Sequence, residues 1–526
     1  MAADDSPGSE ARRAEVLAAL SISIDLGLGL PMEHVLRSSL LASMLADELD
    51  FSEEERATVY YTNLVLWIGC HADSHEFSRW FGDDLAMRRD SYQLDWSGLR
   101  YMLFLLRRTG SHQPVARRTQ LLFTLMLAPR AQMAALIHSH CLSAGLMAQR
   151  VGLDHAVAEA VECAFERWDG TGLPSGRRGD QIPLATRVVQ LAETCEVHLR
   201  TQGTSGALAM TKERSGSQFD PSLVQALARC RERINALPDQ DVWTKALELA
   251  PDDDVMLRGA DLDSLLGAVG DFADLKCPFT VGHSRAVAAL GAAAAERMGL
   301  ASTDVDVVRR AAMVHDLGRM GVPNSVWERS AALSESDRER IRLYPYLTGR
   351  ILNRVRGLER VTAVAEAHRE RLDGSGYPRG LNGSALPVTQ RILAAADSYR
   401  GSLEHRPHRP ALGAEAAAVR LRGEVDAGRL DPTAVDAVLS VAGHRSPRRP
   451  PGPAGLTARE VEVLGLLTQG LTSTEIAARL FISPKTVRNH LEHVYLKAGV
   501  TNRTGAMLFA LERGMVRTVE DEAPAP

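Results

Sequence analysis

GLTAREVEVLGLLTQGLTSTEIAARLFISPKTVRNHLEHVYLKAGV, residues 455–500, decides how the C-terminal part of this chain folds. Thr472 and Glu475 have the T-x-x-E spacing of a capping box, so a helix starts there and runs through Ile476, Ala477 and Leu480. Phe481 and Ile482 make a turn. Ser483 is an N-cap, and Pro484 suits the first helical position, where a missing N–H costs nothing. Val487, Leu491 and Val494 recur at i, i+4 and i+7, which buries one face of this next helix. Lys485, Arg488, Asn489 and Glu492 project from the other face. A short helix, a tight turn and a helix with outward polar groups form a helix-turn-helix, whose second helix suits a DNA major groove.

The flanks agree. Thr457 and Glu460 cap an earlier helix in the same way, with Val461, Leu464 and Leu467 inward. Gly499 stops the recognition helix, and Thr501 is placed to cap a fourth helix ending at Gly514. LTxRE, GLTSTEIA and SPKTVRNH, in this order and spacing, closely resemble the LuxR-type helix-turn-helix. The resemblance implies a four-helix module, residues 455–518, that binds double-stranded promoter DNA as a homodimer. Arg488 and Asn489 are expected at base edges, each worth roughly 1–3 kcal/mol of discrimination. Lys485, Thr486, Lys497 and Arg503 are candidates for phosphate contacts, with Glu492 on the same exposed face. The bland alternative is a helical packing module whose basic residues are solvated surface.

Composition sets the frame. The 526 residues have room for about three domains. Aromatics are 5% against 45% hydrophobic residues, which suits Ala/Leu-rich helical packing. Net charge is −5, so the nucleic-acid signal is local rather than global. Six scattered cysteines form no C-x-x-C pair, which points to a reducing compartment and away from a zinc ribbon. The N-terminus MAADDSPGSE lacks the marks of a signal peptide, and no apolar run approaches the roughly 18 residues of a bilayer span. The expectation is a cytoplasmic protein with no membrane partner.

Upstream, residues 12–240 and 255–444 are two helical blocks, separated by Pro/Asp-rich stretches near residues 238–241 and 251–254. HRSPRRPPGPAG is a Pro/Gly/Arg linker, residues 445–454 at its centre, and residues 1–10 and the tail VEDEAPAP read as disordered. An internal repeat joins the blocks. FERWDGTGLPSGRRGDQIPLATRVVQLAE from Phe165 parallels RERLDGSGYPRGLNGSALPVTQRILAAAD from Arg369, an offset of 204 (369 − 165). His34 aligns with His283 at an offset of 249 (283 − 34), so the first copy carries an insertion near residues 70–133. The fold class is all-α, a duplicated helical domain followed by the four-helix module.

Late in a helix of the second copy, His315 and Asp316 stand side by side in VHDLG. His283, at a helix start, and Asp397, in ILAAADSY, complete a two-nitrogen, two-oxygen set suited to Mn, Fe, Ni or Zn. A satisfied helix-end pair is the alternative reading of His315–Asp316 alone. HSR, VHDLGRMGVP, HRERLDGSGYPRG and ILAAADSY together resemble the HD-GYP domain. That resemblance implies the metal-dependent phosphohydrolase fold associated with cyclic di-GMP hydrolysis. It carries His283, His315, Asp316, His368 and Asp397 over as metal ligands, and Asp373, Gly374, Gly376, Tyr377 and Pro378 as the ligand loop. Arg319 takes the place of a phosphate-facing lysine and, with Asp316, would serve any catalysis.

Departures accompany the match. Tyr344 replaces a family histidine, Arg369 the second of a histidine pair, and Phe279 an occasional glutamate. A guanidinium repels a dication, so one divalent metal is expected and two are not. In the first copy Leu66 and Trp67 stand at the His-Asp positions, Ala164 at His368 and Glu193 at Asp397, leaving His34 and His140. That copy reads as a remnant kept for shape, dimerisation or sensing. His71, Asp73 and His75 in GCHADSHEF read as a polar surface or capping cluster rather than a metal site. The resulting expectation is a transcriptional regulator in signal transduction whose HD-GYP-derived region senses a cyclic dinucleotide or other phosphate ligand with little or no hydrolysis. The rival is a cyclic di-GMP phosphodiesterase carrying a DNA-binding module, and a third reading is a scaffold that binds nothing small.

Overall fold

The computed structural model describes residues 9–70, 74–110, 114–127, 130–237, 241–251, 255–444, 456–500 and 502–513. The 445–454 linker, the C-terminal tail, Thr501, Gly514, His71 and Asp73 lie outside them. The described residues form 26 helices and one two-stranded ribbon, an all-α fold. Contacts divide the chain into two units, Met1–Arg445 and Ser446–Pro526.

The first unit holds both copies around one apolar core running from Ala11 to Leu439. Its opening helix, Arg13–Gly27, is buried on nearly every side because the second copy covers the face that the first leaves open. Ser23 donates to the Leu317 carbonyl at 3.2 Å, and Glu15 accepts from the Arg356 amide at 2.9 Å. The ribbon pairs Ala11 with Leu257 and Arg12 with Met256, antiparallel, joining the starts of the two copies.

Hydrogen bonding repeats at the offsets seen in the sequence. Asp25 accepts from the Val35 amide at 3.2 Å, and Asp274 from the Ser284 amide at 2.9 Å. Glu166 accepts from Ser175 at 2.8 Å, and Glu370 from Arg379 at 2.7 Å, both amides in the loops named above. Both loops contain a cis proline bond, at Leu173–Pro174 and Tyr377–Pro378.

Helices Ser74–Phe81, Asp84–Ser91, Gly98–Arg108 and Val115–Leu127 occupy the insertion. It docks on the second copy. Asp84 accepts from the Asn324 amide at 2.8 Å and lies 3.7 Å from Lys276, with both charged side chains fully buried. His75 meets Glu328 at 2.7 Å.

The second unit contains helices Ala458–Thr468, Ser473–Leu480, Pro484–Ala498 and Arg503–Glu512. Thr457 with Glu460 and Thr472 with Glu475 close full capping boxes, and Ser483 accepts from the Thr486 amide at 3.0 Å. Phe481 ends one helix in the left-handed region, φ 54°, which turns the chain sharply into the next. Leu464, Leu467, Ile476, Val487, Leu491 and Val494 form its core, with Val461 half-buried beside them.

Candidate metal centre and nucleic-acid interface

Three separate segments deliver the four residues of the second copy's polar centre. His283 opens the helix His283–Arg297, His315 ends Ser302–Val314, Asp316 follows it, and Asp397 sits within Val388–Leu403. Gly318 lets the His-Asp segment press on the Tyr344 helix, since a Cβ there would meet the Tyr344 carbonyl at 1.9 Å. Its amide donates to Thr348 Oγ1 at 2.9 Å, and that hydroxyl donates to the His315 carbonyl at 2.9 Å. The dyad is thereby fixed to a neighbouring helix.

The donor atoms converge. His283 Nε2 is 3.3 Å from Asp397 Oδ1 and 4.0 Å from Asp316 Oδ2. His315 Nε2 is 3.5 Å from Asp316 Oδ1 and 3.9 Å from Asp397 Oδ1. His283 Nε2, His315 Nε2 and Asp316 Oδ1 are buried without a well-formed hydrogen bond. His315 Nδ1 donates to the Ala312 carbonyl at 2.7 Å, which leaves the Nε2 lone pair facing the carboxylates. Bonds of about 2.0–2.2 Å place neighbouring ligands roughly 3–3.5 Å apart, and His283, His315 and Asp397 form a group close enough to hold a divalent ion, with Asp316 beside it.

Electrostatics follow from the crowding. Burial favours a neutral His283, but the carboxylates of Asp397, Glu404 and Asp316 carry it up to about 9. Burial also opposes the charged Asp397, and Arg369 and the histidines overcome it, holding the carboxyl well below its usual range. Burial, with the charges of His315 and Arg369, pushes His368 down to about 3.

The far side of the centre is closed by protein groups. Arg369 reaches both oxygens of Asp397, at 3.2 and 3.3 Å, and donates from Nε to the Tyr344 hydroxyl at 2.7 Å. Tyr344 lies 2.7 Å from His368 Nε2, and His368 Nδ1 donates to the Ala365 carbonyl at 2.6 Å. The lone pair of His368 is therefore occupied by the tyrosine hydroxyl, although His315, Asp316 and His368 lie together. The positive charge of Arg369 on Asp397 opposes a second dication at this side. Arg319 donates to Asp316 at 2.8 Å and lies 4.3 Å over the Trp327 ring. The loop Asp373 to Pro378 is held at Glu370, and Tyr377 packs by Tyr344, Val322 and Val326.

Sequence reasoning missed two carboxylates here. Glu404 bonds His283 Nδ1 at 2.8 Å, and Asp274 bonds both the amide and hydroxyl of Ser284. The signal for Asp274 was Asp25, at the same offset of 249 as His34 and His283.

In the first copy the corresponding place is filled. The Trp67 indole donates to Glu193, and His34 bonds Glu196. Burial pushes Glu193 up to about 7, against the pull of His34 and Trp67. His140 meets Cys70 at 3.7 Å and the Phe165 ring at 5.1 Å between centroids.

On the recognition helix, Lys485, Arg488, Asn489 and Glu492 are exposed and Thr486 is half-buried. Arg488 makes a loose contact with the Pro484 carbonyl at 3.4 Å. Lys497 is engaged by Glu460 at 2.7 Å, and Arg503 by the Leu467 and Leu471 carbonyls at 3.3 and 3.0 Å. The last two cations make contacts inside the module, and Lys497 stays exposed while doing so.

A family model described as HD domain matches residues 130–223 and 268–434, and one described as bacterial regulatory proteins, luxR family, matches 454–510. The chain is an HD-domain protein with a C-terminal LuxR-family domain. It is 29% identical over 343 residues to the 3'3'-cGAMP-specific phosphodiesterase 3 of Vibrio cholerae, covering 64% of this chain and 75% of that one. Its C-terminal part is 51% identical over 59 residues to the spore germination protein GerE of Bacillus subtilis, 11% of this chain and 80% of GerE. The transcriptional activator DevR/DosR of Mycobacterium tuberculosis is 40% identical over 91 residues, 17% of this chain and 42% of that protein. The crystal structure of a cyclic GMP-AMP specific phosphodiesterase of V. cholerae superposes with a TM-score of 0.58 at 24% identity. It covers 83% of this chain and 99% of that one, a likeness of fold. Among the described residues no helix is long and apolar enough to cross a membrane.

Proposed function

We propose that this chain is a DNA-binding transcriptional regulator whose second HD copy receives a phosphate-bearing ligand, such as a cyclic dinucleotide, and hydrolyses it slowly or not at all. The observation that carries this reading is the Arg369 guanidinium seated on Asp397, with Tyr344 on His368. His283, His315, Asp316 and Asp397 would hold one divalent ion, which supplies a water of lowered pKa when bound. Arg319 and Arg369 add positive charge beside it, suited to anchoring a phosphate oxygen. Arg488 and Asn489 would read base edges, Lys485 and Thr486 would meet phosphates, and two chains would pair on an inverted repeat. A ligand acts on transcription only by binding one arrangement of the paired chains better than another.

A metal-dependent cyclic-dinucleotide phosphodiesterase is the second reading, favoured by the unsatisfied donors of His283, His315 and Asp316 and by the named activity of the Vibrio relative. One experiment separates them. The purified chain is incubated with 3'3'-cGAMP or cyclic di-GMP and Mn(II), and no more than a trace of linear dinucleotide is expected. A linear product that vanishes in His315→Ala establishes the enzyme instead. In parallel, Arg488→Ala is expected to lose the promoter footprint while the domain stays folded, and an intact footprint would displace the assigned face.

A further inference from the structure

The first copy has lost its metal ligands but not its mouth. A cavity of about 400 Å³ opens beside the filled centre, lined by Gly29, Leu30, Arg89, Gln93, Arg200 and Thr201 among others. Its position is legible from the duplication. The offset of 249 carries Leu30 to Phe279, and the offset of 204 carries Arg200 and Thr201 to Glu404 and His405. In the second copy the Phe279 and His405 rings face each other there, 5.5 Å apart, and Glu404 holds His283. Leucine and threonine in place of two rings leave room.

Charge at this mouth is reversed between the copies. In the second, Arg400 and Glu404 pair one turn apart at 3.4 Å; in the first, Glu196 and Arg200 pair in the opposite order at 3.2 Å. The exchange keeps a carboxylate on the buried histidine, Glu196 on His34, and sets a guanidinium at the cavity where the second copy has an acid. The insertion adds another. Gly29, at φ +69°, allows the Asp84–Ser91 helix to approach, for a Cβ there would meet the Leu85 carbonyl at 2.5 Å and Arg89 at 3.4 Å. Arg89 thereby lines the cavity, with Asp90 taking only its Nε–H. Among the described residues no acidic side chain lines the space. Arg89 keeps its Nη groups for a ligand, while Glu196 takes the Nε and Nη2 of Arg200 at 3.3 and 3.2 Å and leaves Nη1, so the two guanidinium groups together can donate to phosphate oxygens. The volume falls within the range of small-molecule sites.

We infer that the first copy is a metal-independent receptor site for a phosphorylated small molecule of nucleotide size, gripped by Arg89 and Arg200. This stands apart from the reading of the second copy, since neither residue touches that centre.

Calorimetric titration of the full-length chain in EDTA, with GMP and with inorganic pyrophosphate, tests it. GMP is expected to bind and pyrophosphate to compete. Arg89→Glu/Arg200→Glu is expected to weaken GMP binding by about tenfold or more. Asp397→Asn is expected to leave it unchanged. Arg200 is tied to Glu196, so Arg89→Glu alone, at a position more than half exposed, provides a variant that keeps the fold and should still weaken binding. Absence of binding by both probes at millimolar concentration overturns the inference. So does binding that survives both arginine changes, or that disappears in Asp397→Asn.

Discussion

The two HD copies share a frame and differ at its centre. Asp25 and Asp274 bind equivalent amides, and Glu166 and Glu370 pin equivalent loops. Where the second copy gathers His283, His315, Asp316 and Asp397, the first has a tryptophan against a glutamate. Trp67 also packs edge-on to Tyr92, Trp96 and Phe165, with ring centroids 6.0, 5.8 and 5.3 Å away. A lost metal site is thus not a void. The buried acid still needs a donor, because an unpaired charge in an apolar interior is costly, and an indole N–H supplies one while its rings fill the space. In the second copy a guanidinium and a phenol close one side of the centre, while His283, His315 and Asp316 keep buried donor atoms without a partner.

That comparison predicts its largest effect at the guanidinium. Tyr344→His/Arg369→His is expected to raise metal content from one ion per chain to two. Hydrolysis of 3'3'-cGAMP should rise by about a hundredfold or more, equivalent to about 2.7 kcal/mol of barrier. Metal analysis and single-turnover assays read both. An unchanged metal content would mean that Arg369 is not what excludes the second ion.

Local chemistry made part of this legible in advance. Ser483 with Pro484, and Thr472 with Glu475, are capping signals complete within a few residues, so the helix-turn-helix could be read directly. The candidate ligands could be named from motif and offset together. What escaped was long-range. Trp67 and Glu193 are 126 residues apart, and the offsets placed both at the altered centre without giving the hydrogen bond between them. The buried Asp84–Lys276 pair exists only because the insertion folds onto the second copy, which no local pattern encodes. Tyr344 and Arg369 were visible as departures, but their mutual hydrogen bond, which makes them one plug, depends on two helices meeting. The partners of Lys497 and Arg503, Glu460 and the Leu467 and Leu471 carbonyls, were likewise out of view, because they lie on another helix and its end.

A comparable effect should appear in the first copy with pH. Burial opposes a charged His34, yet Glu196, Asp25 and Glu193 carry it from 6.5 up to about 9. Arg200 stands behind Glu196, and the Tyr92 ring is 6.0 Å away. The folded state holds this proton more tightly than the unfolded chain, so the stabilisation is full below pH 6.5 and fades as pH rises through 9. The loss is expected to be about 3 kcal/mol. Unfolding of the EDTA-treated chain across that window, compared with His34→Asn, isolates it. A variant as steep as the parent would remove His34 from the account and weaken the view that the first copy's centre is a self-contained charge network.

The smallest effect tests the shared frame. Asp220 and Asp431 cap the helices Pro221–Arg229 and Pro432–Val441, each with proline at the first position. Each also accepts from an arginine near the start of an earlier helix, Arg187 at 2.7 Å and Arg391 at 3.0 Å. Equal geometry should give equal cost, so Asp220→Ala and Asp431→Ala are each expected to lower stability by about 1–2 kcal/mol. Denaturant titration of the two variants measures the difference. A cost confined to one copy would show that duplication preserved the helix path while redistributing its energetics, and the contrast between the centres would then no longer stand on a common frame.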